Sequence, residues 1–184
     1  MVEKTIRIVV AVGLSAALLG AGGAGPAAIG TLYLAAVTVA LVQYDVRELR
    51  LPDALVLPGA AFVVVGAVWS SLQTGGSRVA VAALACGAAA LVGFAVAASG
   101  GGLGMGDVKL AAVLAGALAA VVAERGPPLG EVVTIVGCWA VMSFVAGAVV
   151  AWLAVRGFGS RRLSAELPFG PVLLGTFWGF VLLG

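Results

Sequence analysis

Four stretches of this chain, residues 8–44, 54–77, 79–106 and 132–155, contain no charged side chain at all. Each is long enough to cross the hydrocarbon core of a bilayer, which takes roughly 20 apolar residues in a helix. The overall balance agrees: 184 residues that are 62% hydrophobic and 10% charged cannot bury so much apolar surface inside one soluble core of that size. Lipid must cover the remainder.

Apolar runs between Gly, Pro or charge breaks predict seven membrane helices, at about 6–24, 27–44, 54–72, 79–99, 106–123, 131–155 and 167–183. The run 8–44 is too long for one span and is divided at Gly20, Gly22, Gly23, Gly25 and Pro26. The expected fold is an all-α, polytopic membrane helix bundle, read as a single membrane-embedded domain over residues 1–184, with 1–26 an extra N-terminal helix of unassigned role. A cytoplasmic N-terminus puts Lys4, Arg7, Arg47, Arg50, Lys109, Arg156, Arg161 and Arg162 inside and only Arg78 and Arg125 outside, as positive-inside topology requires. Lys4 and Arg7 ahead of an apolar core also fit a signal peptide. A second apolar run follows at once, and the later loops keep their parity only with the first span retained, so a signal-anchor is expected. The 28 glycines follow no fixed period and are read as packing residues that let membrane helices approach closely.

Composition also limits the chemistry. The chain has no histidine, which removes Ser-His and Cys-His catalysis and His-bearing zinc protease motifs. Cys86 and Cys138 lie in separate apolar runs with no CxxC partner and are expected to be small core residues; no metal site and no cofactor is expected. A formal charge of +2 gives no footing for nucleic acid.

Two acidic residues stand at span borders rather than in loops. Asp45 closes the second span in Gln43-Tyr44-Asp45-Val46-Arg47, and Asp107 opens the fifth in Gly104-Met105-Gly106-Asp107-Val108-Lys109. The topology places both at one membrane face and at similar depth. Each alone reads as a border marker or, for Asp107, a helix N-cap. Together they can share a proton, one carboxyl acting as base on a water and the other as acid toward a carbonyl. Asp107 faces the positive end of its own helix dipole and Asp45 the negative end of its own, which predicts Asp107 as the base and Asp45 as the holder of the shared proton. Gly100, Gly101, Gly102, Gly104 and Gly106 precede Asp107, and such backbone is tolerated at membrane depth only where it is buried in protein or lines a wet cavity. They are expected to let a substrate strand close to the carboxylate, and to be mobile until it binds. A small proton- or cation-coupled transporter using the same two aspartates is the alternative reading, though no span carries a charge in its middle.

Gly104-Met105-Gly106-Asp107-Val108-Lys109-Leu110 resembles the signature around the second aspartate of the type IV prepilin peptidases, membrane aspartic proteases of the GxGD class. Asp45-Val46-Arg47-Glu48-Leu49-Arg50-Leu51-Pro52-Asp53 is similar to the segment around that family's first aspartate. Leu167-Pro168-Phe169-Gly170-Pro171 resembles the Pro-Phe-Gly-Pro that opens its last helix. The resemblance implies an aspartic endopeptidase of the bacterial inner membrane, acting at the cytoplasmic face on a prepilin or pseudopilin, with lipid as the surrounding partner and without nucleic acid. It implies Asp45 and Asp107 as the catalytic pair, and Gly104, Gly106, Lys109, Pro168, Phe169 and Gly170 as substrate-binding or site-shaping residues. Asp53 is expected to be a helix N-cap, Lys109 to point to another side of its helix as a headgroup anchor, and Glu48 and Glu166 to be weak partners for a basic leader. Longer members carry CxxC motifs linked to N-methylation between the second and third spans. Here that connection is expected to be about ten residues without cysteine, which resembles the cleavage-only members.

Overall fold

The computed structural model describes residues 2–20, 25–100, 103–158 and 168–183, and these form seven α-helices and no strand. They are α1 (Val2–Gly20), α2 (Ala28–Glu48), α3 (Asp53–Thr74), α4 (Arg78–Ser99), α5 (Met105–Glu124), α6 (Leu129–Phe158) and α7 (Gly170–Leu183). Helices α2 to α6 each hold a stretch long and apolar enough to cross a membrane. The apolar parts of α1 (Thr5–Gly20) and α7 are shorter. The chain is a multi-pass, all-helical bundle, as its charge-free runs predict.

Helix α5 is the axis of that bundle. From Val113 to Ala123 every residue is buried, and the side chains are mostly Ala, Val and Leu. Its broadest contact is with α4. There Gly87 and Gly116 face each other: a β-carbon on Gly116 would lie 3.2 Å from the Ala83 carbonyl oxygen, and one on Gly87 3.2 Å from that of Ala112. Without β-carbons the two backbones come together, which is how helices associate where lipid removes the hydrophobic drive between them. The outer helices turn bulky apolar groups outward instead, among them Val12, Trp69, Val92, Val96, Val141 and Trp152, all at least half exposed. Cys86 is buried, as expected, but Cys138 is exposed on α6, correcting its reading as a core residue.

Several helix ends differ from those read off the apolar runs. Helix α2 continues past Tyr44 to Glu48, because charge ends an apolar run without ending a helix; Asp45, Arg47 and Glu48 keep helical backbone. The stop comes at Leu49, which takes a left-handed conformation (φ 50°), ahead of Leu51-Pro52, where proline disfavours helix in the residue before it. The α2–α3 connection is therefore Leu49–Pro52, four residues rather than about ten. Helix α7 starts at Gly170, after Pro168 and Phe169, rather than at 167. The antiparallel course brings the ends of α2, α4 and α6 and the starts of α3, α5 and α7 to one end of the bundle.

Candidate active site

At that end a cavity of about 570 Å³ opens between the α2–α3 connection and the start of α5. Asp45, Leu49, Arg50, Leu51, Pro52 and Asp53 line it from one side, and Gly104, Met105, Gly106, Asp107 and Lys109 from the other. The two aspartates lie 62 residues apart in sequence and share this cavity, close enough for their charges to repel. Both are buried, Asp45 at 4% and Asp107 at 8% exposure, which separates them from border charges that reach into water. Among the described residues no cation is ion-paired with either one.

Asp45 sits in the last turn of α2, where its backbone carbonyl accepts the Leu49 N–H that closes the helix. Its side chain is held from elsewhere. Gly170, the first residue of α7, donates its backbone N–H to Asp45 Oδ2 at 2.8 Å. Asp45 thus meets the positive, N-terminal end of α7 as well as the negative end of its own helix. The asymmetry expected from each aspartate's own helix is offset by this third element, which the sequence reading did not weigh.

Asp107 occupies the third position of α5, with extended Gly104 (φ −75°, ψ 150°) as the N-cap. It is not itself the cap; its carboxylate faces back toward the Gly104 backbone N–H, as a residue three positions after a cap can. Asp107 Oδ1 is buried without a hydrogen-bond partner. A buried carboxylate oxygen left open beside a second carboxylate, in a cavity wide enough for a peptide segment, is a place where a water and a carbonyl can be held.

Gly106 is where the site is tightest. A β-carbon there would stand 3.0 Å from Leu51 Cβ and 3.3 Å from Leu51 N, so glycine lets the start of α5 lie against the α2–α3 connection without pushing Leu51 aside. At Gly104 the nearest atom to a β-carbon would be Asp107 Oδ2, at 3.6 Å, an ordinary contact.

Asp53 and Lys109 differ from expectation. Pro52 is the N-cap of α3, and Asp53 is its first helical residue, making no side-chain cap. Its carboxylate instead accepts both hydrogen bonds of Lys109 Nζ, at 2.8 and 2.9 Å. Lys109 lines the same cavity as Asp107 rather than another side of the helix, because its long stem carries the amine round. Among the described residues of the last motif, Gly170 is the one hydrogen-bonded to an aspartate, Asp45. The Phe169 ring packs on α6, where a β-carbon on Gly147 would overlap it and Phe144 lies 6.1 Å away between ring centroids. Pro168 is half-buried and does not line the cavity. Gly101, Gly102, Arg161, Arg162, Glu166 and Leu167 lie outside the described residues.

The sequence reading missed Leu51, whose burial beneath Gly106 forms a wall of the cavity; an apolar residue before Pro gives no such signal. It also missed Gln43, whose side-chain oxygen accepts the Arg7 Nε–H at 3.1 Å, tying α1 to the turn that carries Asp45. No group of three or more His, Cys, Asp or Glu placed to hold a metal occurs among the described residues.

No curated protein and no solved structure matches the chain. Residues 32–154, about two thirds of it, match a family described as the type IV leader peptidase family. That span includes Asp45, the α2–α3 connection, Asp107 and the whole of α5, and leaves α7 outside. A helical membrane bundle with paired buried carboxylates at one end, matched over most of its length to that description, makes the chain a peptidase and a member of the type IV leader peptidase family.

Proposed function

We propose that this protein is an aspartic endopeptidase in which Asp45 and Asp107 together activate one water, and that it removes the short basic leader of a prepilin or pseudopilin at the cytoplasmic face of the bacterial inner membrane. The observation that carries this reading is the meeting of two buried carboxylates, from different helices, in one cavity at the more basic end of the bundle. Like charges at close range favour a single shared proton. Asp45 Oδ2 accepts the Gly170 N–H, which favours Asp45 Oδ1 as the oxygen that shares the proton with the Asp107 carboxyl.

The reaction then follows from the geometry. The ionised carboxyl takes a proton from water as its oxygen attacks the scissile carbonyl carbon, while the protonated carboxyl donates to the carbonyl oxygen. Collapse of the tetrahedral intermediate breaks the C–N bond, and the amine leaves with a proton returned by the dyad. With only Leu49–Pro52 between α2 and α3, and no cysteine there, the chain resembles the short, cleavage-only members, which supports leader cleavage as its activity. The whole chain acts in this reading as one membrane-embedded domain, with α1 bracing the Asp45 turn through Arg7 and Gln43.

The test is incubation of the detergent-purified protein with a synthetic pilin N-terminus that carries a basic leader, its transmembrane segment and a glycine at their junction. Mass spectrometry is expected to locate one cut, directly after that glycine. A cut elsewhere, or none, counts against this substrate class.

A further inference from the structure

Helix α7 lies beyond the span that matches the family, yet it supplies the one hydrogen bond made to the Asp45 side chain among the described residues. We infer that Gly170 is a positioning residue for Asp45: its backbone N–H fixes the carboxylate, and its missing β-carbon is what allows α7 to begin against it. The inference rests on the dyad reading above and assigns Gly170 a role within it.

Three observations carry it. A β-carbon on Gly170 would stand 2.8 Å from Asp45 Oδ2 and 3.1 Å from Cγ, too close for the carboxylate to stay where it is. The residue before it is immobilised, since the Phe169 ring fills the space that a side chain at Gly147 would take and lies beside Phe144. Lastly, α7 is pinned to α2 at a second point, where Trp178 Nε1 donates to Thr38 Oγ1 at 3.1 Å. Along α7 the two pins are eight residues apart and along α2 seven, about 12 Å and about 10.5 Å of helix, so the antiparallel pair is held in register at both. The N–H is thus aimed by two helices and an aromatic clamp. A bond from this N–H to a carboxylate is charge-assisted and directional. It leaves Asp45 Oδ1 as the oxygen free to face Asp107 and the substrate.

The experiment uses the full chain in detergent. Gly170→Ala is expected to lower kcat about 10- to 100-fold, the scale of a misplacement of about 1 Å in a catalytic group, with KM within about twofold of wild type. Gly175→Ala, on the same helix with nothing within 4 Å of the new methyl, is expected to leave both unchanged. Wild-type turnover in Gly170→Ala overturns the inference, and so does a raised KM with unchanged kcat, which would make Gly170 part of the substrate surface instead. Should Gly170→Ala fail to fold, the hydrogen bond is read directly. Labelling with 15N-glycine and 13C-carbonyl-phenylalanine leaves two Phe–Gly amides, those of Gly159 and Gly170. Replacing Asp45 with Ala is expected to move one of them upfield through loss of the charged acceptor. If neither moves, Asp45 is not held by Gly170. This result does not depend on turnover, so a wild-type protein that cuts no leader defeats the dyad reading while leaving the hydrogen bond to be judged separately.

Discussion

At the scale of single residues, the site separates glycines that fill a motif from glycines that space requires. The sequence treats Gly104 and Gly106 alike, as backbone that a substrate strand approaches. The structure gives Gly106 a neighbour, Leu51, that a β-carbon would crowd, and gives Gly104 only an ordinary contact with the Asp107 carboxylate. Gly106→Ala is therefore expected to destabilise the fold by about 1–3 kcal/mol through overpacking. It should also reduce cleavage more than Gly104→Ala does, which thermal unfolding and turnover of the two variants measure together; equal effects would remove Leu51 from the account. Asp45 and Asp107 were legible because a carboxylate at the edge of a long uncharged run has few reasons to be there. The Lys109–Asp53 ion pair was not legible, since helical spacing reports where Cβ points and a lysine amine can travel well beyond that. Nor was the hold of Gly170 on Asp45, because its donor is a backbone group that every residue but proline possesses.

At the scale of helices, the same elements that bring the aspartates together are locked at their opposite ends by one side chain. Glu124, in the last turn of α5, accepts the Ser70 hydroxyl of α3 at 2.6 Å and the Ala27 N–H just before α2 at 3.2 Å, both on Oε1. A carboxylate at the start of α2 also meets the positive end of its dipole. This clamp ties the far ends of α2, α3 and α5 together, at the end of the bundle away from the aspartates. Glu124→Ala is expected to cost about 1.5–3 kcal/mol in stability, the range for hydrogen bonds to a charged group, while turnover well below the unfolding temperature is retained. Thermal unfolding in detergent checks it, and an unchanged midpoint would show that the clamp adds nothing to stability beyond packing. Spans and their order were legible from charge-free runs, whereas the ends of α2 and α7 were not, because local backbone chemistry at Leu49, Pro52 and Pro168 decides them rather than hydropathy.

For the molecule as a whole, an antiparallel course of apolar helices puts alternate connections on one side. It follows that Asp45 and Asp107, one ending an even helix and one starting an odd helix, share a face. That much the run lengths dictate. What they leave open is lateral order: that α5 is enclosed by its neighbours, and that α7 lies along α2, its last helix beside its second, follows from glycine contacts and single hydrogen bonds that hydropathy does not encode. The account therefore stands on the two carboxylates acting as one unit, and paired Asp→Asn substitutions test it most directly. With each variant shown to keep wild-type helix content and membrane insertion, Asp45→Asn and Asp107→Asn are each expected to lower cleavage of a leader-bearing pilin by about 10²–10⁴-fold. The double variant should be no worse than either single one, because groups that act together are lost together. Cleavage within about tenfold of wild type in either single variant, or losses that multiply in the double, would contradict a shared-proton dyad.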